Sequence, residues 1–222
     1  MLYNLLFVYN SLPFVTKLIY FLTFSLACII ALTMHEFAHA FVANKLGDNT
    51  ARLAGRMSIN PMVHFDPVGL LMFLFLGFGW AKPVPINPYN FSNIKRDTFL
   101  VSIAGVLCNL IIAFLFCPFW MLLAKVATGN LFLEILFYLC YYIYQVNLVF
   151  MIFNLLPIYP LDGFNAIASQ LKYTNPFIEF MHRYGWLVLI LIIFIFNAFN
   201  IFSLLYTYIG YPIQWLWGLL IK

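Results

Sequence analysis

Residues 18–42 form an apolar run with one charged side chain, Glu36. A run of this length and composition predicts a membrane-spanning helix, which needs about 20 apolar residues. Glu36 lies inside the pattern His35-Glu36-Phe37-Ala38-His39. Ionisable groups at bilayer depth are costly, and they mark function by default. On a helix, positions i and i+4 share a face. His35 and His39 can therefore hold one zinc ion, with Glu36 placed to act as general base toward water at the metal. The alternative is that these polar groups bond to neighbouring helices.

The rest of the chain has the same solvent preference. Hydrophobic residues make up 65% and charged residues 8%, against about 25% charged in soluble domains. The expected fold is an all-α polytopic membrane protein with about four full transmembrane helices, at 13–45, 98–124, 131–155 and 185–208. Residues 1–12 read as an interfacial lead-in with no cleavable-signal pattern, and 211–222 as an interfacial tail with Trp215 and Trp217. The region 48–97 differs, with five prolines and five cations around a short apolar stretch at 68–81. That stretch is expected to be a re-entrant loop, a half-membrane helix or a pair of short strands, covered by protein or lining a cavity. Residues 1–222 are expected to form a single membrane-embedded domain, with a catalytic core at about 18–165 and a C-terminal helix and tail at 177–222. A net charge of +4 without a basic run argues against nucleic acid as a partner. Cys28, Cys108, Cys117 and Cys140 lie in apolar segments without paired metal spacing and read as small hydrophobes.

A catalytic zinc needs a third protein ligand and an open position. Of the seven acids, Asp162 is the best placed, just after the 131–155 span in Asn154-Leu-Leu-Pro157-Ile-Tyr-Pro160-Leu-Asp162-Gly163. It reaches the histidines if an even number of crossings separates them. The spans 98–124 and 131–155 supply two, so 68–81 should not cross. This topology puts eight cations on one face (Lys45, Arg52, Arg56, Lys82, Lys95, Arg96, Lys172, Arg183) and three on the other (Lys17, Lys125, Lys222). The eight-cation face is then expected to be cytoplasmic. The competing reading of Asp162 is turn chemistry.

Asn154 could donate to a carbonyl oxygen as charge develops there, or it could make a helix–helix hydrogen bond. Ser102, Gly105 and Asn109 fall at helical spacing and read as a packing face, with Asn109 able to line the site. His64 is a competing ligand, more simply a loop histidine bonded to nearby backbone. The prolines of Lys82-Pro83-Val84-Pro85-Ile86-Asn87 predict an extended segment, either a lid or a strand able to pair with unwound substrate.

With these residues placed, the chain resembles the site-2 protease family of intramembrane zinc metalloproteases. The resemblance rests on His35-Glu-Phe-Ala-His39, Ala104-Gly105 before Asn109, and Phe153-Asn154-Leu-Leu-Pro157 leading to Leu161-Asp162-Gly163. Asn60-Pro61 with His64-Phe-Asp66-Pro67, and Gly79-Trp-Ala-Lys-Pro-Val-Pro85, look like the compact bacterial branch. The resemblance implies cleavage within transmembrane segments of protein substrates. His35, His39 and Asp162 would bind one Zn2+ per chain, Glu36 would be catalytic, and Asn154 would contact the substrate or oxyanion. The bacterial branch implies a bacterial inner membrane, and the cation count puts the site toward the cytoplasm. Val106 and Phe164 depart from residues common in the family. PDZ or CBS domains are not expected. A non-enzymatic metal-binding or transport protein using the same ligands, or a scaffold without activity, is the alternative.

Overall fold

A computed structural model describes residues 13–69, 72, 79–199 and 201–221. Helix α1 (Phe14–Lys45) is followed by a short α2 (Thr50–Leu53), 3₁₀ turns at Pro61–Val63 and Pro88–Asn90, α3 (Ile94–Val126) and α4 (Leu131–Asn154). Then come α5 (Asp162–Gln170), α6 (Pro176–Ala198) and α7 (Ile201–Leu220). The expected all-α polytopic class holds. Four helices are long and apolar enough to cross a membrane: Phe14–Lys45, Ile94–Val126, Leu131–Asn154 and Pro176–Ile195. Among the described residues there is no strand, and the only pairing of that kind is an isolated antiparallel bridge between Phe65 and Ala81.

Local chemistry sets the helix ends. α1 stops where Gly47 takes φ 108°, a left-handed value that side chains resist. The Asn93 side chain accepts from the Arg96 amide at the start of α3. Asn130 accepts from the Phe132 and Leu133 amides at the start of α4. Both satisfy amides that have no partner within the helix.

α3 is the central helix, in contact with α1, α4, α5 and α7. Ala27, Cys28 and Ala31 of α1 pack against Ile143 and Val146 of α4. Small residues let helices approach closely where lipid removes the hydrophobic drive for association. A second cluster joins Val106, Ala113 and Cys117 of α3 to Tyr144, Leu148 and Met151 of α4 and Ile213 of α7. Large apolar side chains turn outward instead: Phe14, Leu18, Leu22 and Leu26 on α1, and Leu107, Ile111, Leu115 and Phe119 on α3, are exposed. Their spacing of about four residues draws one stripe along each helix, which suits contact with lipid.

The expected 185–208 span is spread over two helices, α6 and the start of α7. The expected interfacial tail is mostly helical, within α7. Gly210 lets α7 approach the Tyr144 hydroxyl, which a Cβ there would meet at 2.7 Å. Gln214 donates to the same hydroxyl.

The question of 68–81 falls largely on residues 70–78, which, apart from Met72, lie outside the described residues. Its described ends meet. A Cβ on Gly69 would overlap the Trp80 carbonyl, and the Lys82 amide donates to the His64 carbonyl at 2.9 Å. The chain therefore stands at the same level before and after the stretch, and α3 and α4 supply the two crossings.

Several of the cations group by end. Tyr20 bonds to Tyr138, joining the start of α1 to the start of α4, and Lys125 donates to the Ile221 carbonyl, which groups Lys17 and Lys125 at one end. At the other end Arg56 binds the Lys82 carbonyl, and Lys95 binds that of Gln170.

Candidate metal centre

His35 and His39 lie one turn apart on α1, and both are buried. By the rise of a helix they sit about 10–15 Å inside its Lys45 end. Asp162 begins α5 and reaches them from the turn that follows α4. Its Oδ2 lies 2.9 Å from His35 Nε2 and 3.2 Å from His39 Nε2. The two Nε2 atoms are 3.0 Å apart. The three side chains form a cluster whose ligand atoms all lie within 4.8 Å of one another.

Backbone shape allows the approach. A Cβ on Gly105 would meet His39 Nε2 at 2.5 Å and His35 Cε1 at 2.6 Å, so α3 can pass the imidazoles only without a side chain there. A Cβ on Gly163 would overlap the Leu155 carbonyl, so glycine beside Asp162 lets α5 fold back against the end of α4.

The outer ring nitrogens decide which way the lone pairs face. His39 Nδ1 is 2.7 Å from the Val101 carbonyl, which can only accept. His39 therefore carries its proton on Nδ1. His35 Nδ1 is 2.6 Å from Asn109 Oδ1. The Asn109 amide nitrogen faces two acceptors, the Ala31 carbonyl at 3.2 Å and Asn147 Oδ1 at 2.7 Å. Asn147 is held in turn by its own donation to the Ile143 carbonyl. Asn109 Oδ1 is thus an acceptor, and His35 also donates from Nδ1. Both Nε2 lone pairs point inward, the arrangement that outer hydrogen bonds impose on metal-binding histidines.

With both rings protonated at Nδ1, three electron-pair donors converge, and Asp162 Oδ2 is a buried oxygen without a hydrogen-bond partner. A cation shared by the three removes that penalty, and two nitrogens with one oxygen suit zinc.

Glu36 stands beside the trio, half-buried, with Oε2 accepting from the Val84 amide at 3.0 Å. The segment around Val84 is extended, as its prolines predict. The Asn154 amide is turned back on the Phe150 carbonyl of its own helix. His64 is fully buried, with Nε2 at 2.8 Å from the Ser58 carbonyl and outside the trio. Ser102 bonds to Thr98 of its own helix. Val106 is buried in the α3–α4 cluster. Phe164 fills a cluster of rings with Tyr159, Phe177 and His182. Asn147 was not among the expected site residues, although a polar amide in the middle of an apolar span carries the same signal as Glu36.

The fold and cluster define a helical membrane protein with a metal-type donor set, and relatives agree. The chain is 44% identical over 147 residues to "Putative zinc metalloprotease YwhC" of Bacillus subtilis, covering 64% of this chain and 65% of that protein. It is 30% identical over 151 residues to "Putative zinc metalloprotease Rip2" of Mycobacterium tuberculosis, covering 65% of this chain and 55% of the relative. With Rip2 of Mycolicibacterium smegmatis the identity is 28% over 176 residues, 74% of this chain and 64% of that one. The chain therefore spans less than two thirds of the length of each. No protein-family profile matches the chain, and no solved structure matches it. These relatives bear out the resemblance to the site-2 protease family.

Proposed function

We propose that this chain is a zinc metalloendopeptidase that hydrolyses peptide bonds in or near transmembrane segments of membrane proteins. The observation that carries this reading is the convergence of His35 Nε2, His39 Nε2 and Asp162 Oδ2 inside a helical bundle, with a carboxylate outside the donor set beside them. Zinc held by the three, one ion per chain, supplies Lewis acidity toward water and a peptide carbonyl. Glu36 takes the proton of the attacking water and delivers it to the leaving amine. The Val84 amide occupies one carboxylate oxygen and leaves the other for that proton. His35 and His39 keep their Nε2 lone pairs inward through Asn109 and Val101. Asn154 spends one N–H on the Phe150 carbonyl, and its second N–H is the one that donates to a substrate carbonyl.

Substrate amides in a helix are shielded by i→i−4 bonds, so the scissile segment must unwind. The positive-inside rule supports a cytoplasmic eight-cation end, and with it a site toward that side of a bacterial inner membrane. The test is co-expression with single-span candidate substrates, comparing the native protein with Glu36→Gln. The expected result is cleavage by the native chain alone, with about one zinc in each protein. Equal cleavage by both refutes the catalytic role. Zinc in both with no cleavage by either supports a non-enzymatic metal-binding or transport protein.

A further inference from the structure

The extended segment 81–87 is fastened to the rest of the protein through several of its backbone groups. Ala81 pairs with Phe65. The Lys82 amide donates to the His64 carbonyl at 2.9 Å. The Lys82 carbonyl accepts from Arg56 Nη2 at 2.5 Å. The Asn87 amide donates to Asp48 Oδ2 at 2.8 Å. Asp48 is fully buried, and Arg56 is 8% exposed. A guanidinium and a carboxylate placed so deep are costly unless they are bonded, and here each is bonded to the backbone of this segment. Between the anchors, Val84 packs its side chain against Ala40 and Ala51 and gives its amide to Glu36. Pro83 and Pro85 have no N–H, so this amide is the only donor of the tripeptide.

We propose that Arg56 is a positioning residue for Glu36. By holding the Lys82 carbonyl it fixes the segment so that the Val84 amide orients the Glu36 carboxylate toward the trio. The proposal rests on the catalytic reading of Glu36, while its structural half can be read without activity. Arg56 touches neither the trio nor Glu36. Its effect travels through two peptide units, and Asp48 secures the far end.

The experiment uses the full chain in detergent micelles. It measures amide exchange at Val84, zinc content, and kcat and KM on a transmembrane substrate. Because both neighbours are proline, the exchange signal between them belongs to Val84 alone. The native protein and Glu36→Gln, which keeps an acceptor oxygen, should protect this amide. Glu36→Ala and Arg56→Ala should speed its exchange at least tenfold, and Arg56→Lys should restore part of the protection. Arg56→Ala should lower kcat at least tenfold with KM and zinc content unchanged. Val84→Pro, which deletes the N–H itself, should lose at least tenfold more kcat than Val84→Ala, and Arg56→Lys, with Val84 exchange faster than in the native protein, carries the test if Arg56→Ala does not fold. Unchanged Val84 exchange in Arg56→Ala overturns the proposal, as does faster exchange with native kcat. If no variant and no native protein cleaves any substrate, the exchange data still decide whether Arg56 sets the Val84–Glu36 contact, while the peptidase reading fails separately.

Discussion

Gly105→Ala is the sharpest test of how the site is built. The added Cβ would lie 2.5 Å from His39 Nε2, 2.6 Å from His35 Cε1 and 2.7 Å from His35 Nδ1, whereas ordinary contact begins near 3.4 Å. Relief needs a displacement of about 0.9 Å, the difference between 3.4 and 2.5 Å. The imidazoles cannot give way freely, because their Nδ1 atoms are bonded to Asn109 and Val101 at 2.6 and 2.7 Å. Metal–ligand distances tolerate about 0.2 Å. The shift is several times larger, so at least one histidine should leave the donor set. We expect zinc affinity to fall at least tenfold, or about 1.4 kcal/mol, with an overpacking cost to stability of about 1–3 kcal/mol. The assay is chelator competition for zinc on purified protein, with helical circular dichroism as the fold control. Native zinc affinity in a folded Gly105→Ala protein would refute the reasoning, because it would show that α3 does not press on the histidines.

Further outcomes follow from the same geometry. Asn109→Ala removes the acceptor for His35 Nδ1, and zinc affinity measured by chelator competition should drop about 10–100-fold. Burial pushes the pKa of Asp48 up, but donors from Thr50, Asn87 and Asn90 outweigh it and hold the carboxyl below its ordinary value of 3.8. A folded-state value below the unfolded one adds stability above about pH 4 that is lost as the pH falls through that value. Melting temperature in micelles should therefore drop on acidification below pH 4, and Asp48→Asn should be less stable at neutral pH with a flatter acid limb. A cysteine introduced at Ser92 should label from the cytoplasm and one at Asn130 from the opposite side. The reverse pattern would invert the orientation proposed from the cations.

The spans and the His35–His39 pair were legible because their signals are local. Apolar runs exceed the membrane thickness, His35 and His39 are separated by one helical turn, and Asp162 was reached by counting crossings. Asn147 was overlooked because its importance lies in its bond to Asn109, 38 residues away.

The sequence alone determined the solvent this chain folds in, the helices that solvent permits and the one-turn spacing of His35 and His39, since each depends on composition or short periodicity. The tertiary structure decided which way the imidazole lone pairs face, why position 105 has no side chain and what holds Glu36. Those properties depend on partners 74, 62 and 48 residues apart, and no local pattern encodes which distant carbonyl or amide a side chain will meet when helices pack.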